Sequence, residues 1–465
     1  MSTSAWFQRL GPGDVQAWAT DVGPVPMNVG AVLVLDAGPH FDLAGARRVL
    51  ASRLAAIPRL RQALVEVPLG CGRPIWVDDP HFDVDVHLTQ VRCGDPGDGA
   101  SLLDLAVAAV TTPLDRARPL WRALLVTDLS DHGVAIVFVL HHVVAVGIGG
   151  LAVLAGLVDV AGRASTAGTD HPDPRPGPTA RQLLTDAWRT RLHSVRRIPS
   201  GTSTIRAALA ELGRHRPDPA PRTSLNVPTG ARRRITAVEA DLAAIRDAAH
   251  AQGATVNDVM LAATSGALHT LLVHRGESTA DLVISVPVSA RTRATTATLG
   301  NQTGVMPVRA PTIGAPEARL RQIAQITAAQ RTTARGSSAA LVAPAFRMLA
   351  AVGLFRALVD RQRLVNSFLT NIRGPAEPLT FHGAPIRQIV PVTITAGNVT
   401  VAFAILSYAG TLTVTVIVDP DAVPELPFLA TALRAELESL TSMERAPGPP
   451  RHATPPRPGA DSGHD

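Results

Sequence analysis

A chain of 465 residues is longer than one ordinary hydrophobic core and indicates two domains, each able to bury a sizeable interior. The two cysteines, Cys71 and Cys93, are too few for a disulfide framework and lack metal-ligand spacing, which favours a reducing cytoplasm and no metal site. A formal charge of +6 permits anionic partners, but aromatic residues are only 3% of the chain, which argues against nucleic acid.

The first predicted elements alternate between helix and strand. A Pro/Gly turn predicts a helix around Trp18 with Asp14 as its N-cap, and residues 27–35 have the composition of a strand. Apolar residues at helical spacing predict a second helix within residues 41–65. Residues 81–88 alternate polar and apolar, so we expect a half-buried strand with its histidines on the surface.

Two neighbouring strands are predicted next. Residues 113–129 join a loop to a strand, and we expect Trp121 to anchor the core rather than to contact a substrate. Residues 134–140 have the length and β-branched content of a fully buried strand, and residues 148–160 can form a helix. The first 164 residues are therefore predicted to form one α/β domain.

His141 and His142 directly follow the buried strand and are the only polar side chains before Asp159. Adjacent side chains at a strand end point in opposite directions, so one imidazole can face a cavity while the other packs behind it. An imidazole titrates near neutrality and can take a proton from a hydroxyl and later return it. The alternative is a pair of core histidines. The glycines that follow argue against a membrane-spanning helix, and no signal peptide is expected.

Residues 165–224 are rich in proline and arginine and are interpreted as a linker. Within them, residues 180–197 form a predicted helix with apolar residues on one face and arginines largely elsewhere. Two interpretations stay open for this basic amphipathic helix: a linker helix that packs on the domains, or a contact with a membrane surface.

Residues 225–445 form a predicted second domain, and residues 446–465 form a predicted disordered tail. The spacing of Thr255 and Asp258 is typical of a capping box, so a helix start explains Asp258 without any chemistry. Residues 399–418 predict two strands joined by a glycine turn, followed by a closing helix.

The segment HHVVAVG resembles the HHxxxDG motif of the wax ester synthase/diacylglycerol acyltransferase family, which lies within the CoA-dependent acyltransferase and condensation-domain superfamily. His141, His142 and Gly147 match the motif, whereas Val146 stands where the family has aspartate. Further matching segments are, in chain order, Pro119-Leu120-Trp121, Asn257-Asp258, the loop around Asn301 and residues 370–375.

The resemblance implies an α/β fold of two chloramphenicol-acetyltransferase-like sandwich domains, joined by a helical linker, with an active-site tunnel at their interface. It implies an acyl-CoA-dependent O-acyltransferase that makes triacylglycerol from diacylglycerol or wax esters from long-chain alcohols. His142 would be the general base and His141 would orient it. Asn257, Asn301 and Gly147 would lie near the substrate. Acyl-CoA is then a co-substrate, and no cofactor is expected.

The water-insoluble acceptor of that family and the basic helix at residues 180–197 predict that this cytoplasmic protein attaches to the inner face of the plasma membrane or to a lipid droplet. Because Val146 replaces the motif aspartate, we expect a weaker catalyst than relatives that have it. Two alternatives remain: a member with lost turnover that serves as an acyl or lipid binder, and an acyltransferase with a non-lipid acceptor.

Overall fold

The computed structural model describes residues 7–19, 21–68, 70–130, 133–144, 148–159, 174–195, 218–289, 303–333 and 354–442. The first part of the chain forms β1 (Gln8–Arg9), α1 (Pro12–Ala19), β2 (Asn28–Leu35), α2 (Leu43–Ala56), a 3-10 turn (Pro58–Arg61), β3 (Gln62–Val65), β4 (Ile75–Asp78), α3 (Val84–His87), β5 (Leu88–Arg92), α4 (Gly99–Thr111), β6 (Trp121–Thr127), β7 (Val134–His141), α5 (Ile148–Leu157) and α6 (Ala180–Val195).

The second part of the chain forms β8 (Arg234–Asp241), α7 (Leu242–Ala251), α8 (Val256–His274), β9 (Asp281–Ser289), β10 (Thr303–Pro311), α9 (Pro316–Thr333), α10 (Phe355–Val359), β11 (Ser367–Arg373), β12 (Thr380–Phe381), β13 (Ala384–Val392), β14 (Val401–Tyr408), β15 (Thr411–Val418) and α11 (Leu426–Thr441). The glycine turn between β14 and β15 and the closing helix were both predicted from the sequence, and both are confirmed.

The first large sheet has six strands in the order β12-β13-β2-β7-β6-β5, and β7 lies near its centre. All eight residues of β7 are buried, as the continuous apolar run predicts for a strand covered on both faces. Successive side chains of β7 point to opposite faces of the sheet, and each face packs into a different hydrophobic core. The sheet therefore holds β7, with His141 at its end, in the protein interior.

The second large sheet also has six strands, in the order β10-β9-β11-β14-β15-β8. One of its faces packs against α7, α8, α9 and α11 in the largest hydrophobic core. Ile235, Ala404 and Ile417 on its other face share a core with α4 and the first sheet. A common apolar layer therefore joins the two sheets.

One strand crosses between the two halves of the sequence. Strand β13 lies between residues 225 and 445, yet it pairs with β2 in the first sheet along six register positions. The predicted domain boundaries at residues 164, 224 and 445 divide the sequence, whereas the first sheet contains strands from both sides of residue 224. The boundaries stay predictions. The tail at 446–465 lies outside the described residues.

Helix α8 begins with the capping box that the sequence predicts, because the Thr255 side chain and Asp258 bond reciprocally. Within the described ranges, α8 is the one helix long and apolar enough to cross a membrane. However, 72% of that apolar stretch is buried inside the protein. Such burial is typical of the core helix of a globular domain.

Two predictions about the N-terminal part are wrong. Asp14 is not the N-cap of α1, because it lies inside the first turn of the helix. Residues 84–87 form a helical turn rather than a strand, since Asp83 caps the turn by accepting from the Asp85 N–H. His87 is consequently buried, and its ring stacks on Trp121 at a centroid separation of 4.6 Å.

Candidate functional site

The histidine pair lies at the end of β7, where β2 holds its backbone. His141 is the last residue of the strand and faces Asn28 across the β2–β7 ladder. The His142 N–H donates to the Met27 carbonyl at 2.7 Å, so the ladder continues one residue past β7. The position of the second histidine is therefore set by the residue that precedes β2.

His141 is a buried imidazole with both ring nitrogens bonded, and it is only 3% exposed. The Val143 N–H donates to its Nδ1 at 3.2 Å, so Nδ1 accepts and the ring proton lies on Nε2. That Nε2–H donates to the Asp21 carboxylate at 3.0 Å. An imidazole in this arrangement has no nitrogen left to take a proton from a substrate.

His142 differs from its neighbour because it is partly exposed and its buried Nδ1 has no hydrogen-bond partner among the described residues. Desolvation of the ring, whose Nδ1 side is buried, lowers the pKa of His142 to about 4. The imidazole is therefore neutral at pH 7. A neutral imidazole is the protonation state that a general base needs.

The depressed pKa of His142 predicts a specific pH dependence of stability. Between pH 6.5 and about 4 the unfolded chain binds a proton at this position that the folded chain does not. We therefore expect the parent to lose stability, relative to His142→Gln, as the pH falls through this window. Chemical denaturation of both proteins at a series of pH values measures the difference. A constant difference would contradict the low pKa.

Asp21 is the carboxylate behind the pair, with a side chain that is 7% exposed. It accepts from the Met27 N–H at 2.9 Å and from the Arg116 guanidinium at 2.7 Å, in addition to His141. Burial raises the pKa of Asp21, but the hydrogen bonds from His141, Met27 and Arg116 lower it by more. The carboxylate is therefore ionised at neutral pH.

Trp18 completes the surroundings of His141. Its ring meets the imidazole edge to face at a centroid separation of 5.5 Å, and the Arg116 guanidinium lies 4.3 Å from the ring centroid. Sequence reasoning did not assign Asp21, Arg116 or Trp18 to the site. One sequence signal could have pointed to Asp21: it precedes β2, the strand that pairs with the histidine strand β7.

The placement of the other predicted site residues near the substrate stays a prediction. Gly147, Asn301 and the divergent Val146 lie outside the described residues. Asn257 is the second residue of α8, in the helical layer over the second sheet. Within the described ranges, no three His, Cys, Asp or Glu side chains are grouped so that they could hold a metal ion.

Known proteins resemble this chain over most of its length. The model of the wax ester synthase/diacylglycerol acyltransferase catalytic domain matches residues 10–260, and the model of the family's C-terminal domain matches residues 299–441. A Mycobacterium tuberculosis protein named as a probable diacylglycerol O-acyltransferase, tgs1, is 31% identical over 439 residues, which are 90% of this chain and 92% of that protein.

Solved structures agree on the fold. A wax ester synthase/diacylglycerol acyltransferase from Marinobacter aquaeolei VT8 superposes with a TM-score of 0.67 at 24% identity, over 93% of this chain and 98% of that one. A starter condensation domain of rhizomide synthetase, in complex with C8-CoA, gives a TM-score of 0.60 at 15% identity, over 94% of each chain.

These structures confirm the predicted fold of two chloramphenicol-acetyltransferase-like α/β domains. The tunnel at the domain interface stays a prediction. The two family models together span most of the sequence and include the histidine pair, which lies within the catalytic-domain match. The chain belongs to the wax ester synthase/diacylglycerol acyltransferase family of acyltransferases.

Proposed function

We propose that this chain transfers an acyl group from acyl-CoA to the hydroxyl of diacylglycerol or of a long-chain alcohol, with His142 as the general base. The observation that carries the proposal is the difference between the two imidazoles. His141 has both nitrogens bonded, whereas the Nδ1 of His142 has no partner in the described part of the chain and its low pKa keeps the ring neutral. Family membership supplies the reaction class.

In the proposed reaction, a nitrogen of His142 takes the proton of the acceptor hydroxyl as the oxygen attacks the thioester carbonyl. The tetrahedral intermediate then collapses, the carbon–sulfur bond breaks, and the imidazolium returns its proton to the CoA thiolate. The imidazolium form of His142 is disfavoured, because desolvation of the ring lowers its pKa to about 4. We therefore expect proton transfer to accompany the attack rather than to precede it.

Two further roles remain proposals. Asn257 and Asn301 can donate hydrogen bonds, which would stabilise the oxyanion of the tetrahedral intermediate if they approach the reacting carbonyl. Exclusion of water would protect the thioester from hydrolysis. Acyl-CoA as the donor is supported by the condensation-domain relative that binds C8-CoA in a similar fold. Such a donor needs no further cofactor.

The direct test is incubation of purified protein with labelled acyl-CoA and a panel of diacylglycerol, long-chain alcohols and amines, followed by lipid analysis. The proposal predicts labelled triacylglycerol or wax ester. Product formed only from amines or other non-lipid acceptors would assign a different acceptor class. A second candidate function is an acyl or lipid binder, because Val146 replaces the motif aspartate. The absence of any product would support this binder.

We also propose that α6 attaches the protein to an anionic membrane surface. The helix is anchored on one side, because Leu183 and Ala187 are buried and Arg9 forms an ion pair with Asp186. Its other side is an outward apolar stripe, with Leu184, Trp188 and Leu192 exposed by 42%, 56% and 53%. The two interpretations of this helix are therefore compatible, since one face packs and the other is open.

Arginines flank this apolar stripe, among them the exposed Arg181 and Arg191. We expect the protein to float with anionic liposomes at low salt and to dissociate at high salt. Trp188→Ala should weaken flotation, whereas Leu364→Ala, at another residue that is 62% exposed, should leave it unchanged. Flotation that is absent at low salt, unchanged at high salt or equal in both variants would contradict an anchor at α6.

A further inference from the structure

We infer that Asp21, supported by Arg116, is the positioning residue of the histidine pair: one carboxylate holds both the ring of His141 and the backbone segment that places His142. The inference rests on the proposed function, because it names the group that orients the proposed base. Asp21 does not touch the acceptor or the thioester in this scheme, and it acts through its two histidine neighbours.

The two carboxylate oxygens of Asp21 have different partners. Oδ2 accepts from the His141 Nε2–H at 3.0 Å and from Arg116 at 2.7 Å, and Oδ1 accepts from the Met27 N–H at 2.9 Å. Hydrogen bonds to an ionised acceptor are about twice as strong as those between neutral groups. The pKa of Asp21 is lowered, so the acceptor is ionised at neutral pH.

The Met27 residue connects this carboxylate to His142. Its N–H donates to Asp21, while its carbonyl accepts from the His142 N–H at 2.7 Å. On the other side, the Val143 N–H donates to His141 Nδ1, so the ring of His141 holds the residue that follows His142. Hydrogen bonds therefore fix the backbone at the His142 N–H and at the Val143 N–H. The first connects to Asp21 through Met27, and the second connects to Asp21 through His141.

The carboxylate also selects the tautomer of His141. Its Oδ2 only accepts, so it requires a proton on Nε2, and the Val143 N–H requires a lone pair on Nδ1. If Asp21 were removed, either nitrogen could carry the proton, and the tautomer protonated on Nδ1 would repel the Val143 N–H. The expected result is a shift of the loop that carries His142.

Arg116 holds the carboxylate in place from the outer side. It forms an ion pair with Asp21 and lies over the Trp18 ring, which itself contacts His141. Its side chain is half exposed, so replacing Arg116 removes the ion pair with Asp21 without leaving a deeply buried cavity. Because Val146 gives the histidine motif no carboxylate of its own, an acid–arginine pair from elsewhere in the chain holds this segment.

The test compares Asp21→Asn, Asp21→Ala and Arg116→Gln with the parent, by steady-state kinetics and by ¹⁵N NMR of histidine side chains. We expect kcat to fall by about 10–100-fold in the Asp21 variants with little change in KM for acyl-CoA, because displacement of a base lowers the rate of the chemical step. Arg116→Gln should give a smaller loss. Asp85→Asn, which removes an exposed ion pair with Arg47, should behave as the parent.

The NMR measurement separates this inference from the proposed function. The parent should show His141 as the Nε2–H tautomer, and the Asp21 variants should show a mixture of tautomers. If folded Asp21 variants keep both the parental kcat and the parental tautomer, the inference is wrong while the proposed function stands. If the parent has no turnover, the tautomer still tests the inference: a shift in the variants supports it, and an unchanged signal overturns it.

Discussion

His142→Ala is expected to lower ester formation by about 10²–10⁴-fold, the usual contribution of a general base, while the protein stays folded. The side chain is partly exposed, and its buried Nδ1 makes no hydrogen bond to the described residues. Removal of the ring therefore breaks no hydrogen bond of Nδ1 to them. The measurement is the rate of labelled ester formation, with circular dichroism and the thermal midpoint as controls for folding.

His141→Ala is the matched control for this prediction, because it removes the buried donor to Asp21 rather than the proposed base. We expect a lower thermal midpoint and a lower soluble yield, since the ionised Asp21 carboxylate then loses one of its partners in a buried position. A folded His142→Ala protein that turns over like the parent would refute the assignment of the base.

Trp121→Ala should produce the largest loss of stability among the motif residues, about 3–5 kcal/mol. The side chain is fully buried, its Nε1–H donates to the Leu60 carbonyl at 2.7 Å, and its ring stacks on His87. Truncation therefore leaves a cavity and an unsatisfied carbonyl. Denaturant unfolding measures the change, with Trp121→Phe as the milder variant that keeps most of the ring contacts.

The Trp121 variants also decide whether this motif residue is structural. A structural role predicts that Trp121→Phe retains ester formation at a temperature well below its lowered midpoint. A Trp121→Ala protein with the stability of the parent but without activity would instead indicate contact with the substrate.

The histidine strand and several other elements could be predicted because their signals are local. A run of β-branched residues identified β7, and the Thr255–Asp258 spacing identified the start of α8. Strand geometry also predicted different surroundings for His141 and His142, because only one of two neighbours can face a given cavity. Their roles in the reaction stay predictions. Of the two imidazoles, only that of His142 has a buried nitrogen without a partner among the described residues.

The parts that could not be predicted depend on contacts between distant residues. Asp21 lies 120 residues before His141, and neither its burial nor its partners can be inferred from its own neighbourhood. The pairing of β13 with β2 likewise joins segments from opposite ends of the chain. His87 was placed on the surface because its segment alternates, whereas stacking on Trp121 makes its burial favourable.

We propose that this chain is a catalyst that uses His142 although Val146 replaces the motif aspartate. The measurement that tests it most directly is the number of ester molecules formed per protein molecule, with labelled acyl-CoA and diacylglycerol in large excess, for the parent and His142→Ala in parallel. We expect many turnovers for the parent and at most a trace for His142→Ala. One product molecule or fewer per folded parent molecule, with acyl-CoA bound, would contradict it and identify an acyl binder.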